Sequence, residues 1–467
     1  MRFIRITSFV MVVIMIVSMT GCKMIKEVHE SSSPTDNKSE DLKKDEYNKE
    51  SAMEKSFKSF VLASPNVKYL SEYDPDSHPL SDRNDWLNIK AITYDGADIN
   101  GKKTKIFAYI GFPNGASSTN KVPAMVLVHG GGGHAFAEWV KLWNDKGYAA
   151  IAMDTTGYFP SSRGKGIAGK ESDSASLWNY GLYGDFLEDG YSNAPNNDEL
   201  TSSENDYNNQ WMYHAVIDTI VAHNIMKKDN RVISDKIGIT GISWGGIITS
   251  IAIGYDTDYA FAIPVYGCGY LEYSYGAAKR FFKSPLTQQY WSAADRFSNV
   301  EFPILWLCWA NDVYFSVNAN SMSYLATKRS GSVFSAKVLW GHSHGQGWAP
   351  SEIYRFADSI TKDEPGLVSC VTEPEGRDFS FRINVPTDVS SITANIYYIN
   401  AKLSYSVKSN GAEPTIDQTW KMCKASVSNN IVTGHLPAEA KGYFVEIVAK
   451  NASENLSTTT SYVELND

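Results

Sequence analysis

The sequence predicts an α/β protein: a mostly parallel central sheet with helices on both faces, followed by a small all-β sandwich. Three observations carry that expectation. Strand-like and helix-like runs alternate between Asp85 and Trp340. Several strand-like runs are apolar throughout, as strands buried on both faces are. Beyond Pro365 the pattern changes to short alternating runs with turn residues between them.

Taken in order, the chain begins with a segment that stands outside the fold. Arg2 and Arg5 precede the apolar run Phe9 to Val17, which is too short to span a bilayer as a mature helix. The run leads into Met19-Thr20-Gly21-Cys22, similar to the bacterial lipoprotein box, so residues 1–22 are expected to be a signal peptide with Cys22 the lipidated residue. Residues 23–63 are expected to be a disordered tether, because from Lys23 to about Ser56 hardly any apolar residue falls in phase. Together these place the protein outside the cytoplasm, anchored to a membrane only by its N-terminal lipid.

The catalytic body is expected over 64–364. Trp86 to Tyr94 and Thr104 to Ile110 read as strands joined by a turn at Asn100-Gly101. The buried strand Ala124 to His129 precedes a helix over Ala135 to Lys146, which stops at Gly147, and a strand over Tyr148 to Asp154. A helix over Asp206 to Lys228 carries a long apolar face. Strand Lys236 to Ile242, helix Gly246 to Gly254, strands Phe261 to Tyr266, Ile304 to Trp309 and Ser335 to Leu339, and helix Ser351 to Ile360 complete the alternation. Residues 155–205 break it: they are polar and carry Trp178, Tyr180, Tyr183, Phe186 and Tyr191, as a lid or binding loop would. Residues 365–467 form the expected sandwich, with strands over Phe379 to Val385, Thr393 to Ile399, Trp420 to Val427, Asn430 to His435, Tyr443 to Ala449 and Thr459 to Leu465.

Composition narrows the function. Hydrophobic residues at 43% and charged residues at 20% are those of a folded protein, and a net charge of −9 argues against nucleic acid as a partner. Five cysteines without a CxxC pair suggest neither a disulfide scaffold nor a zinc or redox site. Cys370 and Cys423 are a possible pair in the C-terminal region, whereas Cys268 and Cys308 sit in apolar runs and read as buried thiols.

The chemistry is expected at Gly241-Ile242-Ser243-Trp244-Gly245-Gly246, a G-x-S-x-G turn between a strand and a helix that would project Ser243 as nucleophile. A hydroxyl needs a base, and the base needs an acid to orient it. Asp312, after strand Ile304 to Trp309, is the expected acid. The base is expected at His344, with His342 the alternative, in Gly341-His342-Ser343-His344-Gly345; His344 lies farther into the loop and a glycine follows it. A His-x-His metal pair lacks an evident third ligand. Backbone N–H groups of Trp244 and Gly131 are the expected oxyanion donors, the latter within His129-Gly130-Gly131-Gly132-Gly133-His134, where His129 and His134 brace the loop. His214 and His223, on the long helix, read as packing or surface residues, and the G-x-G-x-x-G over 164–169 lacks the leading strand a phosphate loop requires.

From about Trp86 to Lys362 the chain resembles an α/β-hydrolase, with HGGGGH, GISWGG, WANDVYF and HSHG in that family's order. NQWMYHAV, GISWGG and HSHGQGWAPSEIYRFAD are similar to bacterial acetylxylan-esterase-like and prolyl-oligopeptidase-like hydrolases. The resemblance implies a Ser-Asp-His triad, mapped to Ser243, Asp312 and His344, an acyl-enzyme intermediate and no cofactor. Nothing upstream is long enough for a propeller domain, which favours an esterase acting on an acylated carbohydrate or small ester. A serine exopeptidase, reading a free amine through Glu171, Asp173 or Glu188, and a non-catalytic surface binding protein are the alternatives.

Overall fold

The computed structural model describes residues 52–75, 86, 88–98, 104–159, 185–186, 207–406, 415–416 and 419–465. The signal segment with Cys22, the stretch 164–169, the three acidic candidates of the insertion and most of its aromatics lie outside the described residues. No helix among the described residues is long and apolar enough to cross a membrane.

The central sheet is built from β1 (Val67–Tyr69), β2 (Ile89–Asp95), β3 (Lys105–Gly111), β4 (Val122–Val128), β5 (Ala149–Met153), β6 (Val232–Ile242), β7 (Phe261–Val265), β8 (Leu305–Trp309) and β9 (Val333–Lys337). Pairing gives the order β1–β2–β3–β5–β4–β6–β7–β8–β9, antiparallel as far as β5 and parallel from there on. Helices α1 (Ala137–Asp145), α2 (Trp211–Lys228), α3 (Trp244–Tyr255), α4 (Val317–Ala326) and α5 (Ser351–Thr361) accompany the strands. This is the α/β-hydrolase architecture. The expected strands and helices are present, most of their ends within a few residues of the expected positions. Central strands such as β5 and β7 are buried along their whole length, which accounts for their unbroken apolar runs.

Two expectations need correction on this side of the chain. The disordered stretch does not extend to residue 63: residues 52–61 are helical, with Met53 and Phe57 fully buried. Phe57 stacks on Tyr255 at 4.2 Å, and Asn224 donates from Nδ2 to the Phe60 carbonyl at 2.6 Å. Two apolar side chains among charged neighbours were too sparse to register as a periodic face, yet burying each contributes roughly 1.5–3 kcal/mol. This same helix explains α2. Where one apolar face was expected, every residue from Trp211 to Met226 is buried, because protein lies on all sides of it.

The C-terminal strands are β10 (Ser369–Cys370), β11 (Asp378–Asn384), β12 (Ser391–Ile399), β13 (Lys421–Ser428), β14 (Ile431–His435), β15 (Gly442–Lys450), β16 (Asn455–Thr459) and β17 (Val463–Glu464). β16 and β17 pair with β15, which continues through β12 to β13; β13 then turns into a second layer with β14, β11 and β10. Phe381, Ile396, Val432 and Val445 fill the space between the layers. The opposite face of the first layer is not free. Phe444, Leu456, Trp420 and Tyr462 belong to the core of the catalytic body, and Phe334 of β9 pairs with Thr459 of β16. The expected pair Cys370 and Cys423 is not a disulfide: both are free thiols, on strands that are not neighbours, and the Cys370 thiol contacts the Thr459 carbonyl.

Candidate active site

Five strand ends meet at one edge of the parallel sheet. Val128 of β4 lies opposite Gly241 of β6, Ile242 of β6 opposite Val265 of β7, Val265 opposite Leu307 of β8, and Trp309 of β8 opposite Lys337 of β9. The loops that follow therefore bring His129-Gly130, Ser243, Asp312 and His342 together, at the carboxyl ends of the strands where open α/β sheets gather their sites.

Ser243 occupies a sharp bend between β6 and α3. Its φ of 60° and ψ of −119° are costly for a residue with a side chain, by about 1–3 kcal/mol, and persist only where the surroundings over-determine them. Here its N–H donates to the Val265 carbonyl at 2.9 Å, while its carbonyl accepts from Gly246 at 2.8 Å and Ile247 at 3.1 Å. Gly245 allows the close crossing beneath it, since a Cβ there would lie 2.5 Å from the His129 carbonyl oxygen. The hydroxyl thus stands at the N-terminus of α3, where the helix dipole favours negative charge.

Asp312 is fully buried, and its Oδ1 accepts the N–H groups of Tyr314 at 2.8 Å and Phe315 at 3.0 Å. Its other oxygen, Oδ2, faces His342 Nδ1 at 2.7 Å, and His342 Nε2 faces Ser243 Oγ at 2.8 Å. The acid holds Nδ1 protonated and leaves Nε2 as acceptor for the serine hydroxyl. Tyr266 and Phe315 lie nearly parallel to the imidazole, with centroids at 4.6 Å and 5.8 Å, and limit its rotation.

The expected base, His344, is therefore corrected to its alternative, His342. Ser343 is extended (φ −154°, ψ 162°), and its hydroxyl accepts from the Gln346 N–H at 3.2 Å, capping a short helix that begins at His344. That start of a helix turns the second ring away from Ser243. His344 Nε2 instead accepts the N–H of Gly130 at 2.9 Å, and the residue packs against Phe136, with ring centroids 5.0 Å apart. Desolvation, with help from nearby His129, His134 and His342, pushes it down to about 3, so the ring is neutral at ordinary pH.

Gly130 is gripped at both polar groups. His129 Nε2 accepts the Thr155 N–H at 3.0 Å, which leaves its proton on Nδ1 to donate to the Gly130 carbonyl at 2.7 Å. Gly133 N–H donates to the same oxygen at 3.0 Å. In a trans peptide the N–H points opposite the carbonyl, so pinning the Gly130 oxygen also aims the Gly131 N–H. The Trp244 N–H, first in α3, has no acceptor among the described residues. The two expected oxyanion donors are thus oriented groups rather than spent ones, while Gly130 N–H is already used. A Cβ on Gly130 would lie 2.6 Å from the Ile242 carbonyl oxygen and 3.0 Å from Ser243 Cβ, so the loop runs directly against Ser243.

The other histidines are structural. His134 bonds the Ala135 carbonyl at 2.9 Å and His214 the Asn208 carbonyl at 2.8 Å. His223 Nδ1 meets Asp256 Oδ2 at 2.7 Å, both buried, and stacks on Tyr259 at 4.0 Å. Trp306 is buried in the core with its indole N–H on Thr327; Trp309 is half-buried and bonds the Val338 carbonyl at 3.3 Å. No three His, Cys, Asp or Glu side chains among the described residues converge as a metal site.

The acetyl xylan esterase (AXE1) family model matches residues 38–271, half of the chain, and the prolyl oligopeptidase family model matches residues 203–360. Among solved structures, the acetyl xylan esterase from Paenibacillus sp. R4 aligns at 18% identity and a TM-score of 0.47, covering 66% of this chain and 93% of that one. Acetyl xylan esterase 1 from Thermoanaerobacterium sp. JW/SL YS485 aligns over the same shares at 12% identity and 0.47. The acylaminoacyl peptidase of Pyrococcus horikoshii aligns at 18% and 0.41, covering 61% of this chain and 45% of that one. No curated protein matches by sequence.

Proposed function

The chain belongs to the acetyl xylan esterase family, and from that membership we propose a lipid-tethered serine esterase that removes acetyl or similar small acyl groups from carbohydrate outside the cell. It is an ester-cleaving serine hydrolase; the acyl-enzyme route, the substrate and the tether are the proposal. The observation that carries it is the unbroken relay from Asp312 through His342 to Ser243, with contacts of 2.7 and 2.8 Å.

Ser243 Oγ attacks the ester carbonyl carbon as His342 Nε2 takes its proton. The resulting imidazolium is stabilised by Asp312, and the oxyanion lies between the N–H groups of Trp244 and Gly131. Collapse breaks the bond to the sugar oxygen, which leaves with the proton from His342 and leaves the acyl group on Ser243. Water then attacks that ester, giving up its proton to His342, and the carboxylic acid departs as Ser243 regains its hydrogen. No cofactor is needed. Anchoring through Cys22 would hold this chemistry at the cell surface, where polymeric carbohydrate is met.

A fluorophosphonate probe should label the wild type and leave Ser243→Ala unlabelled; labelling that persists in the variant overturns the assignment. A panel of acetylated sugars, aryl esters and aminoacyl anilides then separates the esterase from the exopeptidase. Faster turnover of the anilides would replace this reading with the peptidase one. Loss of membrane association in Cys22→Ala tests the tether.

A further inference from the structure

The stretch that follows β12 leaves the C-terminal sandwich and, at Leu403 to Ser406, reaches the acid loop. Within it Tyr405-Ser406 pairs with Thr415-Ile416 as a short antiparallel ribbon. The Tyr405 hydroxyl donates to the main-chain carbonyl of Asp312 at 3.1 Å. We propose that Tyr405 is a positioning residue for the acid of the triad, and that the C-terminal β module is thereby a working part of the esterase rather than an appended binding unit.

This inference rests on the function proposed above, since it takes Asp312 as the acid. Hydrogen bonds from Tyr405 and from Ser274 converge on the acid loop. Ser274, fully buried, donates from Oγ to the Tyr314 carbonyl at 2.6 Å and accepts the Ser316 N–H at 3.0 Å. Tyr275, the next residue, stacks on Tyr405 with centroids 3.6 Å apart, and its hydroxyl donates to the Leu403 carbonyl at 3.0 Å. The ribbon and the 274–275 segment therefore hold each other while each holds the loop. Burial keeps the Tyr405 phenol protonated and hence a donor. Shifting the Asp312 main chain by a few tenths of an ångström would loosen the 2.7 Å contact between its carboxylate and His342, because the same loop supplies the two N–H groups that aim it. The module's base is equally firm: Tyr462 N–H donates to Ser321 Oγ at 2.8 Å, and Ala336 N–H to Thr459 Oγ1 at 3.1 Å.

Tyr443 provides the control. Its hydroxyl donates to the Gly376 carbonyl at 3.0 Å inside the sandwich, so Tyr443→Phe deletes the same kind of bond away from the acid. Tyr405→Phe should lower kcat for an aryl acetate about two- to tenfold with KM unchanged, the kinetic equivalent of one hydrogen bond. It should also shift the far-downfield proton resonance of His342 Nδ1–H, read without substrate. Tyr443→Phe should change melting temperature alone. The idea is overturned if Tyr405→Phe leaves both kcat and that resonance at wild-type values, or if the two variants behave alike. A wild type without esterase activity would sink the proposed function instead, while the resonance would still report on Tyr405.

Discussion

Two histidines two residues apart should fail in different ways. His342→Ala removes the one imidazole that, among the described residues, contacts Ser243 Oγ, and loss of such a member lowers kcat by roughly 10⁴- to 10⁶-fold. His344→Leu removes a neutral ring whose Nε2 accepts the Gly130 N–H at 2.9 Å. A half-buried N–H left without its acceptor costs about 1–3 kcal/mol. If all of that falls on the geometry of the oxyanion loop, the rate drops about 5- to 150-fold. His344→Asn, whose amide oxygen can still accept, should recover much of the loss. Steady-state kcat and KM on an aryl acetate distinguish these outcomes, with fluorophosphonate labelling rates as a check that does not depend on turnover. The reasoning fails if His344→Leu is as inactive as His342→Ala, or if the asparagine variant is no better than the leucine one.

Gly130→Ala should be the more damaging change within the loop itself. Its Cβ would approach the Ile242 carbonyl oxygen to 2.6 Å, and relieving such overpacking costs about 1–3 kcal/mol, so kcat and melting temperature should fall together. Acid should destabilise the fold before it disrupts the brace. Burial pushes His134 and His344 down to about 3, and lowers His129 and His214, from an ordinary 6.5. The folded rings stay neutral while the unfolded chain takes up protons below 6.5, so stability is complete above that pH and declines as pH falls toward 3. Melting temperature against pH should show this slope, and His344→Leu should make it shallower; an unchanged slope would mean the ring titrates normally in the fold.

Much of this site was legible because its chemistry is local. Gly241 to Gly246 announces a bend by its glycines, and Asp312 follows an apolar strand by a fixed short step; both stand where that pattern predicts. What was not legible depends on backbone direction over one residue. In an extended chain His342 and His344 would share a face, so either could reach the serine, and the glycine after His344 suggested freedom of reach. The helix starting at His344, capped by Ser343, turns the second ring toward Gly130 instead. Ser343 three residues before Gln346, the spacing of a capping box, was the available signal, and it is a weak one. Likewise Tyr405 lies 93 residues from Asp312, in a segment whose own pattern says only strand and turn. No local pattern could connect them. The same holds for Phe444, expected within a strand of the sandwich and found packed into the core of the catalytic body.

The placement of the two histidines has a further consequence. One short loop carries His342, which faces Ser243, on one side and His344, which braces Gly130, on the other, so under the proposed mechanism it can couple proton transfer to charge stabilisation or merely support both. A double-mutant cycle separates these. Oxyanion donors retain roughly 10³- to 10⁴-fold catalysis over water even when a triad member is missing. If His344 acts on those donors, His344→Leu should cost the same factor in a His342→Ala background as in the wild type, within about 0.5 kcal/mol. If instead it acts by holding His342, its cost should vanish once that ring is gone. The hydrogen bond to Gly130 and the stacking of His342 on Tyr266 rather than on its neighbour favour the additive outcome. A vanishing cost would make the loop a single catalytic unit and move His344 from the oxyanion side of the site to the side of the base.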